Sequence, residues 1–139
     1  MRPILYTFLL LIFLPACSKD NSPSLVGNWL EISYVQGLSG RTFYVPADSA
    51  SMLSLRGDRT FKDTGYTLGF SSSGTYSFTH IRSLWAPATL VLAIQFTSKD
   101  PVTNTSFTGS PEVFNLYHDT LDLALNAYDG GSTRYVRIK

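Results

Sequence analysis

The chain has 139 residues, of which 44% are apolar, 14% aromatic and 15% charged. That length allows one folded domain with a sizeable core, with or without a targeting segment. Its 11 basic and 10 acidic side chains give a net charge of +1, so the sequence has no basic surplus with which to bind nucleic acid. With one cysteine and two histidines, the chain cannot form an internal disulfide or a closed Cys/His zinc site.

Residues 1–16 have the pattern of a secretory signal peptide. Arg2 supplies a positive charge, and residues 4–14 form an apolar run that is shorter than the about 20 residues of a transmembrane helix. The run ends at Leu14-Pro15-Ala16-Cys17, which resembles the lipobox of bacterial lipoproteins. This resemblance implies cleavage after residue 16 and attachment of acyl chains such as palmitate to Cys17. The alternative is a plain secretory signal with an incidental cysteine.

A polar stretch follows the cysteine. Residues 18–24 contain no apolar side chain, which predicts that residues 17–24 are a flexible tether between the lipid and the folded domain. Lys19 and Asp20 also resemble the export signal of some Gram-negative surface lipoproteins. The expected location is therefore the bacterial outer membrane, where lipid on Cys17 anchors a domain that faces the periplasm or is exposed at the surface.

Beyond the tether, apolar and polar residues alternate in short runs, which is typical of half-buried strands. The runs are residues 30–35, 53–56, 75–79, 90–97, 113–118, 120–126 and 135–139. In the first run Glu31 falls on the face opposite Leu30, Ile32 and Tyr34. Turn residues separate the runs, and no window shows an extended helical period. The pattern predicts an antiparallel all-β fold of about seven to nine strands, either a barrel or a β-sandwich.

The domain opens with a short motif, Gly27-Asn28-Trp29. Gly-x-Trp at the first strand resembles the opening of lipocalins and of lipocalin-like bacterial lipoproteins. The resemblance continues in residues 57–61, 74–78, 119–123 and 134–137, and it covers nearly all of residues 25–139. It implies an up-and-down barrel of about eight strands, in which Gly27 allows a close backbone approach and Trp29 closes the floor. In lipocalins an arginine of the last strand lies over this Trp, and here Arg134 and Arg137 are both candidates.

Aromatic side chains are the candidates for ligand contact. In a barrel of about eight strands, inward side chains either fill the interior or line a cavity for one small ligand. Trp85 stands in a loop close to Pro87, where it is a candidate for stacking on a sugar or a lipid. The candidate ligand-contacting residues are Trp85, Tyr34, Tyr76, Phe78, Phe96 and Phe114.

No arrangement of polar residues predicts catalysis or a bound metal. His80 and His118 are far apart in the sequence, and nothing in their spacing joins them to Asp119 or Asp122. Three aspartates are expected in turns, namely Asp58, Asp63 and Asp129.

The sequence thus predicts a lipid-anchored, lipocalin-like barrel of the cell envelope that is not an enzyme and uses no cofactor. Its expected ligand is a small apolar molecule or a glycan. The alternative is a solid barrel that serves as a structural or accessory subunit of an outer-membrane protein complex. The two differ in the barrel interior, because only a binding barrel requires a cavity larger than one water molecule.

Overall fold

The computed structural model describes residues 24–65, 71–100 and 102–139. These residues form ten strands, joined by turns and loops, and no helix. The predicted signal peptide, Cys17 and all of the tether except Ser24 lie outside them. Within the described ranges there is accordingly no helix that could cross a membrane. The strands are β1 (Gly27–Gln36), β2 (Arg41–Tyr44), β3 (Met52–Leu55), β4 (Thr60–Thr64), β5 (Ser71–Arg82), β6 (Leu90–Lys99), β7 (Ser106–Thr108), β8 (Glu112–Tyr117), β9 (Thr120–Leu125) and β10 (Ser132–Ile138).

Eight of these strands close into an antiparallel barrel. The order around the barrel is β1, β3, β4, β5, β6, β8, β9 and β10, and pairing of β10 with β1 completes the ring. The short strands β2 and β7 pair with the ends of β1 and β6 and extend the sheet beside the ring. Closure pairs both edges of every ring strand along part of its length, which protects the sheet from edge-to-edge association. The predicted barrel of about eight strands is confirmed, and the sandwich alternative is wrong.

The first strand changes the facing of its side chains halfway along. Its register with β10 shifts between Glu31 and Ser33, as in a β-bulge, which turns the following side chains over. Before the shift Glu31 lies opposite the buried Tyr135, and beyond it Tyr34 lies opposite Thr133. Glu31 and Tyr34 therefore both face the interior, although simple alternation puts them on opposite faces.

A capped turn joins β3 to β4. The Asp58 carboxylate accepts hydrogen bonds from the hydroxyl (2.6 Å) and the amide (3.0 Å) of Thr60. The hydroxyl bond, followed by the amide bond, holds the pKa of Asp58 below its ordinary value. Arg59 completes the turn with a φ of 66°, and its guanidinium carbon lies 4.5 Å from the centroid of the Phe78 ring. The turn position expected for Asp58 is confirmed.

The core is a single cluster of inward side chains. Its buried members are Trp29, Leu53, Leu55, Phe61, Tyr76, Ile94, Leu121, Leu123 and Tyr135. Asp63 stands in β4 two residues after Phe61 and faces the same interior, because residues two apart on a strand share a face. The turn position expected for Asp63 is therefore wrong, whereas Asp129 does lie in the β9–β10 turn.

Candidate ligand-binding site

One end of the barrel is closed by Trp29. This side chain is 0% exposed, and its Nε1 donates a hydrogen bond to the carbonyl of Leu25 (2.9 Å). The guanidinium carbon of Arg137 lies 4.2 Å from the Trp29 ring, which is a cation–π distance. Of the two candidate arginines, Arg137 is thus the one on the indole. Arg134 instead forms an ion pair with Asp122 at 2.7 Å.

Arg137 also ties the entering chain to the last strand. Its guanidinium donates hydrogen bonds to the carbonyl of Val26 (2.8 Å) and to that of Ser24, and it lies 3.5 Å from a carboxylate oxygen of Asp119. Gly27 has a φ of 156°, which residues with a side chain rarely adopt, and a Cβ there would also press against this guanidinium, so glycine suits the close approach. The chain therefore enters the domain across the closed end.

Three of the aromatic candidates belong to the packed floor. The Tyr76 hydroxyl donates a hydrogen bond to the carbonyl of Arg56 (2.6 Å), and burial raises the pKa of this phenol. The Phe78 ring lies 5.9 Å from that of Tyr76 and 5.7 Å from that of Phe114. The three pack in or against the core, and none of them lines either of the cavities described below.

A cavity of about 260 Å³ lies among the inward side chains of the barrel and opens to the solvent beside the exposed Ser72 and Phe107. Every barrel strand except β1 contributes to its wall. The apolar wall consists of Leu53, Phe61, Phe96, Phe107, Leu123 and Tyr135. The polar wall consists of Asp63, Ser72, Ser98, Glu112 and Thr133, and Gly109 completes the lining. Phe96 is the predicted ligand-contacting residue that this cavity includes, and its ring meets Phe61 edge-on at 4.9 Å.

Two carboxyl groups reach this cavity. Asp63 and Glu112 both line it, and burial is the main cause that raises the pKa of each carboxyl. The charge of Glu31 raises the pKa of Asp63 further, and the charge of Asp63 does the same for Glu112. No Lys, Arg or His stands in the cavity wall among the described residues.

Tyr135 lies among these acidic groups. Burial raises the pKa of its phenol, and the charges of Asp63, Glu31 and Glu112 raise it further, in that order. One oxygen of Asp63, Oδ1, is fully buried and accepts no hydrogen bond from the described residues. The polar side of the cavity therefore combines acidic groups with a buried carboxylate oxygen that has no hydrogen-bond partner among the described residues.

A second cavity of about 310 Å³ adjoins the first, since Glu112, Leu123 and Thr133 line both. Glu31 and Tyr34 line the second cavity, and Tyr34 stacks on Phe43 of β2 with ring centroids 5.1 Å apart. Because the Tyr34 side chain is also exposed, it lies where this cavity meets the solvent.

Trp85 lies away from both cavities, on the surface. It is 73% exposed and meets Tyr128, which is 77% exposed, in an edge-to-face contact at 5.8 Å. Asn126 fixes the two loops that carry these rings. Its amide donates a hydrogen bond to the carbonyl of Arg82 (2.7 Å) and accepts one from the backbone of Leu84 (3.1 Å). The Trp85–Tyr128 pair is thus an exposed aromatic surface that is held in place.

The two histidines lie on the surface. His80 is exposed on β5, and His118 is exposed in the β8–β9 turn with a φ of 53°. In the part of the chain that the structure describes, no three or more His, Cys, Asp or Glu side chains are placed to hold a metal ion. What the cavity offers a ligand is apolar contact from one wall and negative charge from the other.

The three carboxyl groups of the cavities are not among the site residues predicted from the sequence. The signal in the sequence for these residues is that each stands two residues from an aromatic side chain of the core. Asp63 stands two residues after Phe61, and Glu112 stands two residues before Phe114. Strand alternation puts each carboxyl on the face of its aromatic neighbour. Glu31 carries the same signal, because it stands two residues after the buried Trp29 and before the bulge in β1.

No protein-family model matches this chain, and neither does a curated protein or a solved structure. The lipocalin-like resemblance and the lipobox therefore stay predictions from the sequence. The functional proposal rests on the residues of the barrel itself.

Proposed function

We propose that this protein is a lipid-anchored barrel of the bacterial cell envelope that binds one small, largely apolar molecule. The observation that carries the proposal is the cavity of about 260 Å³ within the barrel. That space is much larger than the roughly 30 Å³ share of one water molecule in the liquid. The cavity also counts against the alternative, a solid barrel that acts as an accessory subunit.

The size of the cavity limits the ligand. An apolar protein cavity of about 150 Å³ holds benzene. The cavity of about 260 Å³ therefore suits a substituted ring or a short alkyl chain with one polar group. Phe61 and Phe96 offer ring faces and edges, while Ser98 and Thr133 offer hydroxyl groups on the polar side.

The anchor would attach at the closed end of the barrel. Ser24 is bonded to Arg137 there, and Cys17 precedes Ser24 by seven residues. A fully extended chain of that length reaches at most about 25 Å. Acylation of Cys17 would therefore keep the floor near the membrane and leave the second cavity, beside the exposed Tyr34, open to the solvent for ligand exchange.

A cavity-filling variant tests the binding proposal. We expect wild-type protein purified from native membranes to carry a small molecule that native mass spectrometry detects. Ser98→Leu should lose this molecule, because the larger side chain occupies the cavity. Ser77→Leu makes the same change at an exposed position of β5 and should keep it. Absence of a bound molecule from all three proteins, or its retention by Ser98→Leu, would contradict the proposal.

The anchor is tested separately. We expect Cys17→Ser to abolish acylation, so that the protein is left unprocessed by the lipoprotein peptidase or is released as soluble protein. Palmitate labelling and membrane fractionation measure this change. Each acyl chain contributes about 0.8 kcal/mol of membrane affinity per buried methylene, so loss of two or three chains removes the anchor. Ser18→Ala is the control. Unchanged membrane retention of Cys17→Ser would refute the lipid anchor.

The Trp85–Tyr128 pair favours a second candidate function, binding of a glycan at the barrel surface. Exposed aromatic rings stack on the apolar faces of sugars, and Asn126 holds the two loops so that little ordering is needed on binding. We expect a soluble oligosaccharide bound here to change the fluorescence of Trp85. Trp85→Ala and Tyr128→Ala should each remove binding by calorimetry, while Tyr117→Ala, another exposed aromatic change, should not. Binding that survives Trp85→Ala would exclude this surface.

A further inference from the structure

The cavity has an unusual balance of charge. Asp63 and Glu112 stand in its wall, and Glu31 joins Glu112 in the wall of the adjoining cavity. No basic side chain lines either cavity among the described residues. Lys62, the nearest basic residue along β4, is exposed and follows the other face of the strand. The carboxyl groups therefore have no ammonium or guanidinium partner within the described cavities.

The environment of Asp63 makes this arrangement costly. Its Oδ1 is fully buried and has no hydrogen-bond partner in the described structure, although this oxygen is an acceptor that needs one. The charges of Glu31 from β1 and Glu112 from β8 lie within electrostatic range of it. The other groups that face it in the cavity wall are neutral, the Ser72 hydroxyl of β5 and the Tyr135 phenol of β10. A buried charge without a partner is strongly destabilising.

The aromatic wall opposite the carboxyl groups also suits a positively charged ligand. Phe61 and Phe96 contribute rings to the cavity, the exposed Phe107 contributes one where the cavity meets the solvent, and Tyr135 contributes a phenol. The negative face of an aromatic ring attracts a cation, and the attraction is stronger when the pair is desolvated. An anionic ligand would meet like charges in the same space and be repelled.

We infer that the barrel cavity selects an organic cation, a primary amine carried on a small aromatic or short aliphatic body. This inference rests on the proposed function and names the class of its ligand. The ammonium donates hydrogen bonds to the Asp63 and Glu112 carboxylates, and the apolar body packs between the rings of the opposite wall. A bare metal ion fits less well, because the acidic side chains of the described residues are not placed as metal ligands.

Three molecules of similar shape and different charge test the inference. Phenethylamine is the cation, phenethyl alcohol the neutral analogue and phenylacetate the anion. Calorimetric titration of the mature protein, purified in a nonionic detergent, should give an affinity for the amine about tenfold or more above that for the alcohol near neutral pH. Phenylacetate should not bind. The preference for the amine should fall as the pH is lowered and the carboxylates take up protons.

Near-isosteric variants identify the groups responsible. Asp63→Asn and Glu112→Gln should each lower the affinity for phenethylamine about tenfold and leave that for phenethyl alcohol unchanged. Asp48→Asn removes the same charge from an exposed loop position outside both cavities and should change neither affinity. Circular dichroism of each variant verifies that the barrel is intact.

The possible outcomes separate the two proposals. If the alcohol binds as tightly as the amine, or if Asp63→Asn and Glu112→Gln leave amine binding intact, selection of a cation is wrong while a small-molecule site stands. If none of the three molecules binds, and the protein from native membranes carries no ligand, both proposals fail. A preference for phenylacetate would also overturn the inference.

Discussion

Trp29→Ala is expected to lower the free energy of unfolding by about 3–5 kcal/mol, the usual cost of truncating a large buried aromatic side chain. Three losses combine in this variant. The indole leaves a void at a position that is 0% exposed. The carbonyl of Leu25 loses the donor that now lies 2.9 Å away. The guanidinium of Arg137 loses the ring that it covers at 4.2 Å. Equilibrium unfolding in urea, followed by circular dichroism, measures the change.

The second tryptophan of the chain provides the matched control. Trp85 is 73% exposed, so Trp85→Ala should change the free energy of unfolding by no more than about 0.5 kcal/mol. Arg137→Lys separates the positive charge at the floor from the geometry of the guanidinium. It keeps a positive charge but loses the planar group that stacks on the indole and bonds to both Val26 and Ser24. An effect of Trp29→Ala as small as that of Trp85→Ala would show that the floor does not depend on the indole.

Local patterns were enough to predict an antiparallel all-β fold, and the resemblance to lipocalins favoured the barrel over the sandwich. Strand alternation and turn residues are properties of short segments, and each correctly located segment constrains its neighbours in an up-and-down sheet. The short motif Gly27-Asn28-Trp29 likewise identified the strand that carries the floor residue. Local patterns could not decide whether Arg134 or Arg137 lies over the Trp29 ring. This choice depends on which face of β10 points inward, and pairing with β1 determines that facing.

The acidic wall of the cavity could not be predicted in the same way. Asp63 is a typical turn residue by composition. Its distance of two residues from Phe61 indicates an inner face only once pairing with Leu53 of β3 and Ser72 of β5 has placed it in a strand. Glu31 shares the inner face of Trp29, two residues before it. Tyr34 faces inward only because the bulge after Glu31 turns it over, and the sequence carries no local mark of that bulge. The cavity itself is a volume left between side chains of strands that are distant in the sequence. Such a volume depends on the sum of their packing, and no single pattern encodes it.

The carboxyl groups link stability to ligand binding in this barrel. A site that places buried negative charge without a partner is destabilised in its empty form, and a cation that binds there would offset part of the cost. Proteins commonly accept such a loss of stability at functional sites. Removal of the Asp63 charge is therefore expected to raise the free energy of unfolding and to weaken amine binding. A purely structural role of Asp63 would not give this combination.

Asp63→Asn is expected to raise the free energy of unfolding near neutral pH by about 1–3 kcal/mol, because it removes a buried charge with an unsatisfied oxygen. The pKa of Asp63 is higher in the folded protein than in the unfolded chain, where it is about 3.9. The folded state therefore retains the proton to higher pH, and stability is lost as the pH rises through the raised pKa. The increase in the free energy of unfolding caused by Asp63→Asn should be small near pH 4 and should grow towards neutral pH. Urea unfolding over a pH series measures this change. Asp48→Asn, at an exposed position, should show no such growth. A destabilised Asp63→Asn at neutral pH would instead mean that the carboxylate has a favourable partner in the folded barrel.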